Sequence, residues 1–252
     1  MKLAIMQPYF LPYIGYFQLM NSVDKFVIYD NIEYTKKGWI NRNRILGNGA
    51  DALISLPLKK DSDYLSVIER FLADSWAADR VSMLNRIRES YRKSPQFNEV
   101  FPLVERCLKF ENHNLFHFIF NAIQEVKTYL GITTPLVVSS TVKADHSLKS
   151  EQKVLDICRV MGATTYINPI GGLDLYQKPN FNKHGIELSF IKPENIQYTQ
   201  FKEPFVPRLS ILDVMMFNTS NDCSQMLRSF RLLSGDDIDR EIRNLENTSK
   251  ND

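Results

Sequence analysis

Polar and aromatic side chains directly follow two short apolar runs near the start of the chain. The runs cover residues 3–6 and 26–29, and the residues after them are Gln7, Pro8 and Tyr9, then Asp30, Asn31 and Tyr34. Ligands of open α/β sheets bind beyond the carboxyl ends of the strands. We therefore expect these side chains to line one binding site, with Asp30 as a candidate general base.

A third group, residues 38–45 (GWINRNRI), concentrates hydrogen-bond donors beside an indole. In a strand, alternate residues would point to opposite faces, with Trp39, Asn41 and Asn43 on one and Ile40, Arg42 and Arg44 on the other. Two guanidinium groups can hold a diphosphate in bidentate fashion, and an indole with two amides suits a sugar. The pattern favours a ligand-binding strand, and a solvent-exposed edge strand is the alternative.

The segment Tyr13-Ile14-Gly15-Tyr16 opens a predicted helix just after the first apolar run. Nucleotidyltransferases with an H-x-G-H motif place phosphate-binding histidines at this junction, where a helix N-terminus attracts anions. Here Tyr13 and Tyr16 replace both histidines, and a tyrosine hydroxyl can bond a phosphate but is a poor acid at neutral pH. A phosphate-binding site without that chemistry, an active nucleotidyl-transfer site, and simple packing of Gly15 against the sheet are all open.

Two later loops carry further candidates. Asn168 ends an apolar run and is followed by Gly171 and Gly172, then by Tyr176. Paired glycines can present backbone N–H groups to an oxyanion or a phosphate, although a tight turn is an equal alternative. The other loop contains Ser139 and Ser140 and then His146, which we take as a second candidate general base; an idle loop histidine is the alternative.

Composition narrows the classes of function. A formal charge of +2, from 31 basic and 29 acidic residues, gives no support for broad nucleic-acid binding. The three cysteines are widely separated and no CxxC occurs, which favours buried free thiols in a reducing compartment and no metal site. The apolar start of the chain is too short for a signal peptide or a membrane span. We therefore expect a cytoplasmic protein with no membrane span.

Alternating strand and helix patterns predict a Rossmann-like α/β fold, with a mostly parallel sheet and a helical insertion over about residues 64–130. Strands are predicted at 3–6, 26–29, 52–56, 136–139, 165–168 and 186–191. Helices are predicted at 13–21, 64–76, 77–91, 115–130, 151–161, 210–217 and 222–233, the last with Asp222 as N-cap. We interpret residues 1–234 as a single domain and 235–252 as an exposed tail.

The chain resembles the WbqC-like protein family over residues 1–233. The resemblance is carried by MQPYFLPYIGYFQL, VDKFVIYD, KKGWINRNRI, VLDICRVMGATTYINPIGGLDLY, the segment 181–190, Tyr198 with Gln200, and LSILDVMMFN. One departure is Asn218-Thr219, where members of the family often have Asn-Gly.

The resemblance implies a role in O-antigen or other surface-polysaccharide biosynthesis, with acyl or glycyl transfer to an amino sugar. The expected partners are a nucleotide-linked amino sugar and an acyl or aminoacyl donor, and a homo-oligomer is open. No cofactor is required by this interpretation, although Mg²⁺ could arrive with a nucleotide. In such a reaction the sugar amine attacks an activated carbonyl, and backbone N–H groups near Gly171 and Gly172 stabilise the oxyanion. A nucleotidyltransferase-like or adenylate-forming ligase and a non-catalytic nucleotide-sugar-binding protein are the alternatives.

Overall fold

A six-stranded sheet and a separate two-stranded hairpin organise the fold. The computed structural model describes residues 1–202, 204–238 and 240–241. In chain order the strands are β1 (Lys2–Met6), β2 (Lys25–Ile28), β3 (Arg42–Gly47), β4 (Ala50–Ser55), β5 (Leu136–Val138), β6 (Thr165–Pro169), β7 (Glu187–Pro193) and β8 (Phe230–Ser234). β3 and β4 form the hairpin, and the others form the sheet in the order β5-β2-β1-β6-β7-β8.

The sheet has the Rossmann strand order. Counted within the sheet alone, the order is 3-2-1-4-5-6, and its topological switch point lies between β1 and β6. β8 pairs antiparallel to β7, whereas the pairs among β5, β2, β1, β6 and β7 are parallel. The predicted mostly parallel, Rossmann-like α/β fold is confirmed.

Helices cover both faces of the sheet. They are α1 (Ile14–Asn21), α2 (Trp76–Tyr91), α3 (Phe97–Leu108), α4 (Leu115–Tyr129), α5 (Ser150–Met161), α6 (Lys178–Lys183), α7 (Ile211–Phe217) and α8 (Ser220–Met226). Strand alternation divides the buried side chains between two cores. Ala4 and Phe26 pack with α1 to α4 and α7, whereas Leu3 and Val27 pack with α5 and α6. Because both faces are covered, β1 is an almost continuous apolar run.

The predicted helix over residues 64–76 is wrong. This stretch contains only a short 3₁₀ turn, Val67–Glu69. Its backbone instead bonds to the segment after β2, with N–H groups of Val67 and Ile68 donating to carbonyls of Ile32 and Asp30 at 2.9 and 3.0 Å. Residues 64–75 therefore form an irregular segment, which we call the strap, and its Val67 and Leu72 pack into the first core. Hydrogen bonds to the segment after β2 take the place of the helical ones.

The predicted helix over residues 222–233 is also wrong in its second half. α8 ends at Met226, and the chain turns into β8, where Phe230 pairs with Pro193. Asp222 is the third residue of α8, and the N-cap is Thr219, whose hydroxyl accepts from the Asp222 N–H at 3.2 Å in a capping box. Thr219 has a φ of −65°, an ordinary backbone value for a residue with a side chain. A threonine at the family's glycine position is thus accommodated as a helix cap.

The end of the chain is described as far as Glu241. Ile238 is buried in the second core, and the Glu241 carboxylate pairs with Lys192 at 2.5 Å. Residues 242–252, most of the predicted exposed tail, lie outside the described residues. The division into a domain 1–234 and a tail stays a prediction. In the part of the chain that the structure describes, no helix combines the length and the apolar character that a bilayer span requires.

Candidate functional site

A cleft of about 710 Å³ opens at the topological switch point. Its volume lies within the range of small-molecule sites. Three walls meet there: the loop between β1 and α1, the start of β3, and a long segment between β7 and α7 that we call the cleft loop (residues 194–202 and 204–210). Side chains from these walls and from the turn after β6 include Tyr9, Tyr13, Gly15, Trp39, Asn43, Arg44, Gly171, Tyr198, Phe205 and Arg208.

Tyr13 lies across the N-terminus of α1. A Cβ atom added to Gly15 would come within 2.3 Å of Tyr13 Cε2, so the close approach of this ring requires glycine. Burial raises the pKa of Tyr9 to about 12, and burial also raises the pKa of Tyr13 against the opposing charge of Arg208. Both tyrosines are therefore neutral hydroxyl donors at physiological pH. The predicted site at this helix N-terminus is thus lined by phenols and a nearby guanidinium group.

Trp39 lies within cation–π distance of two guanidinium groups. The Cζ atoms of Arg42 and Arg44 are 5.6 and 5.5 Å from the centroid of its ring, and the residue is 41% exposed. β3 begins only at Arg42, so Trp39 precedes the strand and lies beside both arginines. The predicted segregation of the indole and the guanidinium groups on opposite strand faces is wrong, because the strand is shorter than the pattern suggested.

The two arginines have different partners. Arg42 donates from Nε to the Gly38 carbonyl at 2.9 Å and from Nη2 to the Lys37 carbonyl. Arg44 bonds Asp51 at 3.2 Å and the Arg208 carbonyl at 3.4 Å, and its buried Nε has no partner within the described part of the chain. Arg44 lines the cleft, whereas Arg42 closes the turn that carries Trp39.

The amides of Asn41 and Asn43 are engaged within the protein. Asn43 Nδ2 donates to the carbonyls of Phe10 and Leu11 at 3.0 and 2.8 Å, which ties β3 to the loop after β1. Asn41 accepts from the Tyr34 hydroxyl at 2.9 Å and donates to the Leu56 carbonyl at 2.8 Å. Asn43 therefore joins two walls of the cleft, whereas Tyr34 and Asn41 hold the segment before β3 against the end of β4.

Backbone strain accompanies the cleft. Leu11 and Arg208 have φ of 45° and 57°, in the left-handed region that β-carbons disfavour. The Leu11 carbonyl is held by the Ser210 hydroxyl at 2.7 Å, and the Ser210 N–H donates to the Arg44 carbonyl at 2.7 Å. Strained residues persist where surrounding contacts over-determine them, and they cluster at functional sites.

The predicted residues around β6 divide between the cleft and the second core. Gly171 lines the cleft, and a Cβ there would meet no atom within 4 Å. Asn168 is buried, and its Nδ2 lies so close to Gly172 that a Cβ there would approach it to 2.0 Å. The Tyr166 hydroxyl lies 3.3 Å from the Asn168 Oδ1 and from the Tyr176 hydroxyl. Of the predicted residues in this group, Gly171 lines the cleft, and Asn168, Gly172 and Tyr176 do not.

Gln7, Pro8 and Tyr16 support the loop after β1. Tyr16 is buried, and its hydroxyl donates to the Gln7 carbonyl at 3.1 Å. Its ring packs against Tyr9 with centroids 5.8 Å apart. Tyr16 therefore packs against Tyr9 in the cleft wall, and none of Gln7, Pro8 and Tyr16 lines the cleft itself.

Asp30 and His146 meet in a separate cluster beyond β2 and β5. The Asp30 Oδ1 accepts from the Ser140 N–H at 2.9 Å, and the Ser139 hydroxyl bonds Asn31 Oδ1 at 3.1 Å. His146 Nδ1 lies 3.0 Å from Asn31 Nδ2, and its Nε2 lies 2.9 Å from the Val142 carbonyl. The network assigns the proton to Nε2, which leaves His146 no free ring nitrogen. None of these residues lines the cleft.

Lys153 belongs to this cluster and was missed in the sequence. Its Nζ donates to the backbone and side-chain oxygens of Asn31, both at 3.1 Å, and lies 5.2 Å from the Tyr29 ring centroid. Burial lowers its pKa, and the charge of Asp30 opposes that shift. The available signal was a lysine beside Val154 and Leu155 at the buried start of α5.

Asp213 was also missed, although it lies within the apolar stretch of α7. Its carboxylate is fully buried and accepts from the Tyr91 and Tyr198 hydroxyls at 2.9 and 2.6 Å and from Gln200 Nε2 at 2.7 Å. Burial raises its pKa, and these three hydrogen bonds oppose the shift. An acidic residue amid the apolar sequence SILDVMMF was the signal.

Comparison with known proteins gives a family and no activity. The chain is 28% identical over 236 residues to "Uncharacterized protein Rv1507c" of Mycobacterium tuberculosis (strain ATCC 25618 / H37Rv), covering 91% of this chain and 99% of that protein. No solved structure matches. The sequence profile described as "WbqC-like protein family" matches residues 7–225. Because this match extends over far more than half of the sequence, the chain belongs to the WbqC-like protein family.

Proposed function

We propose that the protein is a transferase that N-acylates a nucleotide-linked amino sugar, with glycine as one candidate acyl group, in O-antigen or other surface-polysaccharide biosynthesis. The observation that carries the proposal is the cleft at the switch point. There an exposed indole, the guanidinium group of Arg44 and neutral phenols converge. Such a set suits a ligand that combines a diphosphate with rings.

The proposed binding mode uses the two cationic walls for the diphosphate. Arg44 and Arg208 flank the cleft, and the Tyr13 hydroxyl offers a further donor. Trp39 would stack on a nucleobase or a sugar ring. The N–H groups near Gly171 would face the oxyanion formed when the sugar amine attacks the acyl carbonyl. Any Mg²⁺ would come with the nucleotide.

Asp30 and His146 are the two proposed proton acceptors, with Asp30 placed first. Neither lines the cleft, so each would act on a ligand that extends from the cleft to the cluster beyond β2 and β5. One carboxylate oxygen bonds Ser140, and the other, Oδ2, has no hydrogen-bond partner among the residues described. His146 has both ring nitrogens engaged, so a structural role competes with a catalytic one. Loss of turnover with retained binding in Asp30→Asn, but not in His146→Gln, would support this order.

The test is a product analysis with binding measured in parallel. The protein is incubated with nucleotide-linked amino sugars and acyl or aminoacyl donors, and the product should be heavier by the acyl group. Pyrophosphate released in step with product would favour the adenylate-forming or nucleotidyl-transfer alternative, an outcome that the replacement of both H-x-G-H histidines by Tyr13 and Tyr16 makes unexpected. Tight binding without any turnover would favour the non-catalytic alternative.

A further inference from the structure

Asp213 is a buried carboxylate without a cation. It is 0% exposed, and within the described residues no lysine or arginine lies within ion-pair distance of it. A buried charge is costly unless its oxygens are hydrogen-bonded. Its two oxygens accept the three hydrogen bonds given above, from Tyr91, Tyr198 and Gln200. These donors come from two parts of the chain, the cleft loop and α2.

Two of the donors belong to the cleft loop. Tyr198 lines the cleft, and its hydroxyl donates to Asp213 Oδ2. Gln200 donates to the same oxygen and also binds both backbone polar groups of Val206, at 2.8 Å from the Val206 N–H and 3.1 Å to its carbonyl. The carboxylate therefore holds both limbs of the cleft loop, which also carries Arg208.

The third donor leads to the opposite wall. The Tyr91 hydroxyl donates to Asp213 Oδ1 and accepts from the Leu46 N–H at 2.8 Å. Leu46 lies in β3, two residues after Arg44. A directional chain of hydrogen bonds thus runs from β3 through Tyr91 to Asp213, and charge-assisted bonds of this kind are the strong ones.

We propose that Asp213 is a positioning residue that sets the spacing between the β3 wall, with Arg44, and the cleft loop, with Tyr198 and Arg208. The inference rests on the proposed function only in taking the ligand to be a diphosphate. An ionised carboxylate can accept on both oxygens at once, whereas an asparagine offers one acceptor oxygen. Asp213→Asn should therefore release one wall while conserving the size of the side chain.

The experiment uses the full chain with a ligand-independent reporter and a ligand-dependent one. Trp76 is 1% exposed and Trp39 is 41% exposed, so a Trp76→Phe background leaves Trp39 as the single indole on the cleft wall. Acrylamide quenching of Trp39 reports the wall, and calorimetry with inorganic pyrophosphate reports anion binding. The variants are Asp213→Asn, Tyr91→Phe and Tyr198→Phe. Thr134→Val, which removes a buried hydroxyl bond to the Val23 carbonyl away from the cleft, is the control for lost stability.

Asp213→Asn should alter Trp39 quenching and weaken pyrophosphate binding about five- to thirtyfold, the factor expected for one lost buried hydrogen bond. The two tyrosine variants should each show part of the effect and should couple non-additively, because they act through one carboxylate. Thr134→Val should lower stability and leave both readouts unchanged. If Asp213→Asn does not fold, Tyr91→Phe decides the question, because Tyr91 bonds the carboxylate without lining the cleft.

Unchanged quenching together with unchanged affinity in a folded Asp213 or Tyr91 variant would overturn the positioning role. Absence of pyrophosphate and nucleotide binding by the unaltered cleft would instead count against the proposed function. In that case the quenching measurement still tests the role of Asp213. The two failures are therefore distinguishable.

Discussion

At the scale of single residues, Arg44 and Arg42 offer a matched pair for locating the anion. Arg44 lines the cleft with an unpartnered Nε in the described structure, whereas Arg42 is held by the carbonyls of Lys37 and Gly38. Arg44→Ala should weaken pyrophosphate binding by about 1.5–3 kcal/mol, and lysine should restore only part of it. Arg42→Ala should mainly loosen Trp39. Calorimetry that finds equal losses for both alanine variants would contradict this assignment.

Arg208 allows charge and strain to be separated. Its φ of 57° is unfavourable for any residue with a Cβ. Arg208→Ala removes the charge and keeps the strain, whereas Arg208→Gly removes both. We expect the glycine variant to be more stable than the alanine variant by about 1 kcal/mol in denaturant unfolding. Their pyrophosphate affinities should be equally reduced; a difference in affinity would mean that loop conformation, not charge, governs binding.

The sequence predicted the identity of many cleft residues better than their roles. Trp39 and Arg44 line the cleft as predicted. Asn43, predicted as a ligand amide, instead donates from its side-chain amide to the Phe10 and Leu11 carbonyls. A sequence pattern shows that an amide is present and cannot show which carbonyl will approach it. That approach is set by tertiary packing between segments about thirty residues apart in the chain.

At the scale of elements, the cap of α8 gives a sharp test of the one departure from the family pattern. Thr219 and Asp222 form a capping box. Thr219→Ala should lower the free energy of unfolding by about 1 kcal/mol, whereas Thr219→Gly should cost only a few tenths, because glycine is itself an acceptable N-cap. Equal costs in thermal or denaturant unfolding would show that the cap does not govern this helix end.

Element types were predictable where local pattern and tertiary contacts agree. The parallel strands β1, β2, β6 and β7 have buried centres, and their apolar runs identified them to within one or two residues. The helices predicted after residue 64 and over the residues of β8 were wrong, because there the local pattern and the tertiary contacts disagree. Leu232 is exposed in β8, and Phe230 to Leu233 read equally well as the end of a helix until pairing with β7 decides the matter.

At the scale of the whole molecule, the buried thiols predict an alkaline limit to stability. All three cysteines are buried, and burial raises the pKa of Cys107, Cys158 and Cys223 from 9.0 to about 12. The folded state therefore keeps protons that the unfolded state loses, and the stability contributed by these groups falls as the pH rises above about 9.

The measurement is thiol reactivity in the native and unfolded states. A thiol reagent at pH 8 should find no fast-reacting cysteine in the native protein and all three after unfolding. Replacing all three by alanine should lessen the fall in stability that begins near pH 9, while the buried tyrosines add a fall of their own above about pH 10. A cysteine that reacts at once in the folded protein would contradict the burial described here.

The cleft as a whole was only partly foreseeable. Two of its walls come from the first 46 residues, where donors and aromatic residues are dense. The cleft loop has no periodic pattern, so nothing in the local sequence shows that it returns to the switch point. Its anchors, Tyr198 and Gln200, are recognisable only through their hydrogen bonds to Asp213, which lies 15 and 13 residues further along the chain, in α7.

The tie between Leu11 and Ser210 has a consequence for how the protein is made. The two residues are 199 positions apart, and Gln18 reaches the Met226 carbonyl across 208. Ribosomes add about 5–20 residues per second, so the emerging β1 and α1 must wait roughly 10–40 s for these partners. During that interval Phe17, Leu19 and Met20, all buried in the finished protein, stay open to chaperones and to neighbouring nascent chains.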